Sequence, residues 1–226
     1  MINVTIHSAG YEQGKSIINN IQFQIQSKEI IGLIGGNGAG KSTTIQSILQ
    51  TIPFFEGEIN IPAYGYVPER PIIYTYYTLR EHIHFLIELI GEDLWDNALE
   101  LCKLFRLLDH LDEYPTNFSK GMQQKVMLIL AFTPNYSFYI LDEPFMGLDP
   151  QAIRRLIILL KERKEAGAKI ILSTHALDTA ETLCDRFLCM HEGKLIAQGS
   201  LEDIAKEDEQ NLLDIFDALI EGTYNV

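Results

Sequence analysis

Long hydrophobic runs are missing from this chain, and their absence is the first constraint on what it does. The longest uninterrupted apolar stretch, Val126 to Phe132, is seven residues, whereas a membrane-spanning helix needs about 20. The chain is therefore predicted to be soluble by itself. Cysteine is scarce too: Cys102, Cys184 and Cys189 form neither a CxxC pair nor an even-numbered disulfide framework. No basic stretch followed by an apolar segment opens the sequence. Together these features predict a cytoplasmic protein with buried thiols. Positive charge is the third shortage. Eighteen basic against thirty-one acidic residues leave a net charge of -13, which repels nucleic acid and anionic headgroups alike, so no nucleic acid partner is expected. Eight acidic residues and one lysine between Glu202 and Glu221 carry -7 of that total and read as a solvated helix face.

What is present is a phosphate cradle. Residues 35 to 42 read Gly-Gly-Asn-Gly-Ala-Gly-Lys-Ser, directly after the apolar run Ile30, Ile31, Leu33 and Ile34. In a GxxxxGK[ST] loop, glycines let successive backbone N–H groups point at phosphates. Lys41 then spans the β and γ groups, and Ser42 ligates magnesium. The helix that follows aims its positive end at the anion. A nucleoside triphosphate site is predicted, with Gly35, Gly36, Asn37, Gly38, Ala39, Gly40, Lys41, Ser42 and Thr43 as its contacts.

Alternation of apolar and polar residues at Ile2, Val4 and Ile6 and at Ile21, Phe23 and Ile25 predicts strands, with others at Glu58 to Ile61 and Gly65 to Val67. These suggest an antiparallel β layer near the N-terminus. Ile30 to Ile34, Phe138 to Leu141 and Lys169 to Ser173 fit a buried parallel core, whose chemistry belongs at the strands' carboxyl ends. Between these blocks the pattern turns helical. Thr78 to Glu81 is a capping box opening a helix that Gly91 ends, a second helix uses Leu94 to Phe105, and a third runs from Ser119 to about Phe132. Later helices fit Gln151 to Ala166 and Leu177 to Cys184, and Leu212, Phe216, Leu219 and Ile220 form a last amphipathic stripe.

At the end of the strand Phe138 to Leu141 stand Asp142, Glu143 and Pro144. Asp142 suits a magnesium shell, and Glu143 suits a base that takes a proton from attacking water. Asp-Glu-Pro also serves as a helix-initiating turn; the preceding strand and the upstream cradle favour chemistry here. His175, within Ser-Thr-His, ends the strand Lys169 to Ser173 and is placed to meet a γ-phosphate or the attacking water. The other histidines have no metal-ligand spacing. Phe118-Ser119-Lys120-Gly121-Met122 begins a helix at Ser119, whose free N–H groups at Gly121 and Met122 would make a second anion site.

This last segment resembles the signature sequence of ABC-type ATPases, usually Leu-Ser-Gly-Gly-Gln, in a Ser-Lys-Gly-Met form. The resemblance extends from Tyr11 to His175. It implies a P-loop NTPase of ABC type: an α/β fold whose RecA-like core carries an antiparallel β subdomain and a helical subdomain. Residues 1–226 would form one such domain, with β subdomain and core in 1–70 and 135–200, a helical subdomain in 71–134 and a helical tail in 201–226. It further implies that Tyr11 stacks on adenine and that Glu69, where glutamine is usual, meets magnesium and the attacking water. Ser119, Lys120, Gly121, Met122 and Asp149 would serve a partner's nucleotide across a two-fold dimer. Glu69, Lys120 and Met146 depart from the usual residues, and none removes an essential donor or base. The charge of Glu69 beside Glu143 and phosphates predicts one carboxyl that titrates high.

The implied activity is ATP hydrolysis by the ATP-binding subunit of an ABC transporter, with Lys41, Glu69, Glu143 and His175 catalytic, and Ser42, Glu69 and Asp142 on magnesium. The variant motifs look most like EcsA-like ATPases of bacterial exporters. That likeness implies a second ATP-binding subunit, an EcsB-like integral membrane partner, and a position at the inner face of the cell membrane. Pro71, Ile72, Ile73, Tyr74, Tyr76 and Tyr77 would meet that partner or else lie under the insert. A soluble non-transport ABC ATPase, acting in repair, translation or assembly, is the alternative reading.

Overall fold

Period-two alternation and continuous burial separate the strands into two sheets in the computed structural model, which describes residues 1–205 and 211–222. The alternating segments β1 (Ile2–Gly10) and β2 (Ile18–Ile25) pair antiparallel, with Val4 opposite Phe23. The nearly fully buried β3 (Glu29–Gly35) leads through the glycine turn to α1 (Lys41–Ile48), and β4 (Phe54–Ile59) then completes a sheet of order β2-β1-β4. The sequence placed this strand at Glu58 to Ile61. Pairing with β1 moves it back, Gly10 facing Phe54 and Val4 facing Ile59. The strand β5 (Gly65–Val67) does not join the antiparallel layer: it pairs parallel with β6 (Phe138–Asp142) in the central sheet.

Between those two strands lie α2 (Leu79–Ile90), α3 (Trp95–Leu104) and α4 (Lys120–Phe132). The capping box forms as read from the sequence: Glu81 N–H donates to Thr78 Oγ1 at 3.2 Å, and Thr78 N–H donates to Glu81 Oε2 at 2.7 Å. Gly91 closes α2 in the left-handed conformation. After β6 come α5 (Pro150–Glu165), β7 (Lys169–Thr174), α6 (Leu177–Leu183), β8 (Arg186–His191), β9 (Lys194–Gly199), α7 (Leu201–Ile204) and α8 (Leu212–Ile220). The central sheet has the order β5-β6-β7-β3-β8-β9, parallel except at β9. Neither β8 nor β9 was among the predicted strands.

Alternate residues of the central strands feed opposite cores. Ile30, Leu141, Ile170 and Leu172 share one apolar cluster with Leu79, Ile83, Leu101, Phe105 and Leu128, so the helical segment is built onto one sheet face. Ile31, Leu33, Phe138 and Ile140 face the other way, against Ile45 and Ile48 of α1 and Val4, Ile6 and Phe23 of the antiparallel layer. Each such side chain contributes about 1.5–3 kcal/mol on burial. A third cluster seats Leu212, Ile215 and Phe216 of α8 on Ala180, Phe187 and Cys189. The predicted acidic tail falls partly outside the described residues, at 206–210 and 223–226.

Candidate active site

At the carboxyl end of β3 the chain must turn sharply into α1 through a crowded space. A Cβ at Gly35 would lie 2.6 Å from the Met190 carbonyl oxygen, and Gly40, at φ 104°, leaves no room beside Ile18. The turn between β8 and β9 supports this loop from below: Gly193 N–H donates to Ala39 O at 3.0 Å, and Gly193 O accepts from Asn19 N–H at 3.0 Å. Lys41 is buried and folds back, its Nζ donating to Gly35 O at 2.7 Å and Gly36 O at 3.2 Å. The loop opens on a cleft of about 960 Å³. It is lined by residues Gly36 to Thr43, by Tyr11 and Ile17, and by Glu69, Glu143, Met146 and His175.

Asp142, at the end of β6, is 4% exposed and takes a 2.5 Å hydrogen bond from Ser173 Oγ. Burial raises its pKa against the influence of the Ser173 and Ser42 hydroxyls, and the charges of Glu69 and Glu143 add to the rise. The carboxyl raised here is Asp142, which the sequence reading had not singled out for this, and desolvation is the main cause. The same surroundings push the Tyr66 phenol up to about 12, through burial and then the Asp142 charge. Glu143 adopts a left-handed φ of 48°, unusual for this residue type. Its N–H is held by Ser173 Oγ at 3.0 Å and Ser173 O at 3.2 Å. Its Oε2 accepts from His175 Nδ1 at 2.9 Å, so the ring's nearest partner is this carboxylate.

The Ser119 segment stands apart from this cleft. Ser119 caps α4 and its Oγ accepts from Met122 N–H at 3.3 Å, so one of the two N–H groups read as free is already engaged. Lys120 is exposed. Gly121 lies against the loop before α5, where a Cβ would come within 2.3 Å of Gly147 O. Asp149 caps α5 through Ala152 N–H at 2.9 Å and binds Lys125 Nζ at 2.7 Å, which holds its carboxyl down at about 2.

A family model described as ABC transporter matches residues 18–146, from β2 to the loop after Glu143. The chain belongs to this ABC transporter family. It is 42% identical, over 98% of both chains, to the ABC transporter ATP-binding protein YthP of Bacillus subtilis (strain 168). To the ABC-type transporter ATP-binding protein EcsA of the same organism it is 37% identical, over 92% of this chain and 90% of the relative. A solved structure of an ATP-binding subunit of an ABC transporter superposes with a TM-score of 0.91, at 36% identity, covering 97% of this chain and all of that one.

The ABC chain is thus an ATP-hydrolysing subunit that energises a separate membrane subunit. Among its described residues no helix is long and apolar enough to cross a membrane. Three contributors to this ABC site escaped the sequence reading: Ser173, which holds both Asp142 and Glu143, Gly193 under the loop, and Lys125 on Asp149. Ser173 lay within the noted Ser-Thr-His. Gly193 and Lys125 carry no local signal, because their partners are distant in sequence.

Proposed function

We propose that this chain works as one half of a symmetric ATPase pair, in which Gly35 to Thr43 of one copy and Ser119 to Met122 of the other enclose each triphosphate. One observation carries the reading: the cleft that joins Lys41, Glu143 and His175 lacks the Ser119 helix start, which stands exposed elsewhere on the same chain. In this reading Tyr11 stacks on the adenine, and Lys41 exchanges the Gly35 and Gly36 carbonyls for phosphate oxygens. Glu143 takes the proton of the attacking water while His175 fixes its carboxylate and offers its other ring nitrogen to the γ-phosphate. Lys120 and Asp149 would face the partner's nucleotide together with Ser119.

The donor set fits magnesium. Among the described residues no three carboxylate, imidazole or thiol groups gather into a metal cage. A serine hydroxyl and a carboxylate, Ser42 and Asp142, with Glu69 at the rim, suit an ion that keeps waters and phosphate oxygens in its shell. When bound, it would neutralise charge on the β and γ phosphates.

The test is Glu143→Gln. ATP binding should persist, turnover should fall by about 10²–10⁴, and light scattering should detect a dimer that appears only with ATP. A variant that stays monomeric at saturating ATP rejects the paired site.

The similarity to EcsA supports reading the chain as part of an exporter with an EcsB-like membrane partner, through which it would sit at the inner face of the cell membrane. Docking is assigned to the segment after Glu69, where Ile72 and Tyr76 are 67% and 87% exposed. Aromatic side chains of this kind suit capture of a short helix. Tyr76→Asp should abolish co-purification with the membrane subunit and leave basal ATPase activity intact; unchanged co-purification removes the docking assignment.

A further inference from the structure

The loop from Glu143 to Asp149 connects two places that the paired reading assigns to different nucleotides. At one end Glu143 faces its own chain's cleft and is held by Ser173 and His175. At the other end the loop is fastened to α4, whose first residues would cap the partner's triphosphate. The short path between them is braced by its own backbone bonds and by a buried ring. Met146 N–H donates to Glu143 O at 3.1 Å, Leu148 N–H to Phe145 O at 3.3 Å, and Phe145 is buried in the large core.

Two contacts of different kinds fasten the loop to α4. The first is backbone on backbone, Gly121 against the Gly147 carbonyl. The second is the ion pair between Lys125 Nζ and Asp149 Oδ2 at 2.7 Å, in which the lysine side chain is only 14% exposed. An exposed ion pair contributes little, about 0–1 kcal/mol, and this aspartate is half exposed. The geometry nevertheless fixes a position: the other Asp149 oxygen accepts from Ala152 N–H, so the carboxylate is held between α4 and α5.

We propose that Lys125 is a positioning residue that locks the Ser119 helix start to the Glu143–Asp149 loop, so that both half-sites presented by one chain move as a unit. Lys125 touches neither nucleotide; it acts through Asp149. The proposal rests on the paired reading above. Its consequence is selective: loss of the lock leaves nucleotide binding to the isolated cleft intact, because Lys125 does not line it, and weakens only the closure of two copies on ATP.

The experiment uses the full chain in the Glu143→Gln background, with Lys125→Gln and Lys125→Arg added separately. ATP affinity of the monomer, measured at protein concentrations below dimerisation, should be the same in all three. The protein concentration for half-maximal ATP-dependent dimer should rise about tenfold with Lys125→Gln and return with Lys125→Arg. In the catalytically competent chain, Lys125→Gln should lower kcat with the melting temperature unchanged. The loss with Lys125→Gln and Asp149→Asn together should be smaller than the sum of the two single losses, as expected of residues that share one interaction. Equal dimerisation with glutamine or additive losses in the double variant overturns the lock while the paired reading stands. No dimer with Glu143→Gln alone overturns both.

Discussion

His82 is 3% exposed and uses both ring nitrogens for backbone partners: Nδ1–H donates to Thr78 O at 2.8 Å, and Nε2 accepts from Tyr74 N–H at 3.0 Å. This pattern requires the neutral ring, since a protonated ring would set two donors face to face at Tyr74. Burial lowers its pKa, against the Thr78 bond and the Glu81 charge. The folded state therefore refuses a proton that the unfolded state accepts below about 6.5. Stability is complete above that value and declines as pH falls through it towards the folded pKa, where the decline ends. Thermal melting between pH 7.5 and 5.5 should drop further for the native chain than for His82→Gln, whose amide can donate and accept without titrating. For a chain of this size each kcal/mol corresponds to about 2–4 °C. Equal slopes would show that His82 does not contribute to the acid sensitivity. The ring also packs on Tyr74 and Tyr77 at 5.7 Å, so this one residue shapes the segment assigned to docking.

Among the elements, the start of α4 is the most constrained by its neighbours. Alanine is a better helix former than glycine by about 1 kcal/mol, so Gly121→Ala would favour an isolated helix. In the folded chain its Cβ would meet the Gly147 carbonyl oxygen at 2.3 Å, a backbone atom that no rotamer change can move. Gly121→Ala should lower the melting temperature, because the helix start or the loop must shift, and lose at least about tenfold in ATPase rate, comparable to one lost transition-state contact. Full activity would mean that the loop yields freely.

The elements that the sequence revealed are those with a strong local signal, such as the capping box of α2 and the strands that end in Gly35, Asp142 and Thr174. The hairpin of β8 and β9 was missed for a physical reason. Its two-residue turn, Glu192 and Gly193, takes φ of 45° and 76°, a conformation that usually advertises itself through Asn-Gly or Asp-Gly. Glutamate in the first position hid it. The boundary of β4 was misplaced because β1, not its own alternation, sets its register. Within the site, the loop and the Asp142–Glu143 pair were legible as contiguous motifs, whereas Ser173 acts across two strands and becomes visible only when they pair.

At the scale of the whole molecule, the net charge of -13 sets a condition on pairing. Two such copies repel one another at long range, and each also carries an anionic nucleotide when ATP is bound. The contacts that would hold the pair are short-ranged, between helix N–H groups, Lys41 and phosphate oxygens, and lie within a few ångströms. Salt separates these two contributions by distance. Screening acts over about 30 Å at 0.01 M but about 8 Å at 0.15 M, so added salt removes the long-range repulsion before it weakens the buried contacts. The ATP-dependent dimer of Glu143→Gln should therefore form at lower protein concentration in 0.15 M than in 0.01 M salt. Light scattering across a protein titration at the two ionic strengths measures this directly. A dimer that weakens instead with salt would show that opposite charges facing each other across the seam, and not the overall acidity, govern how the two copies meet.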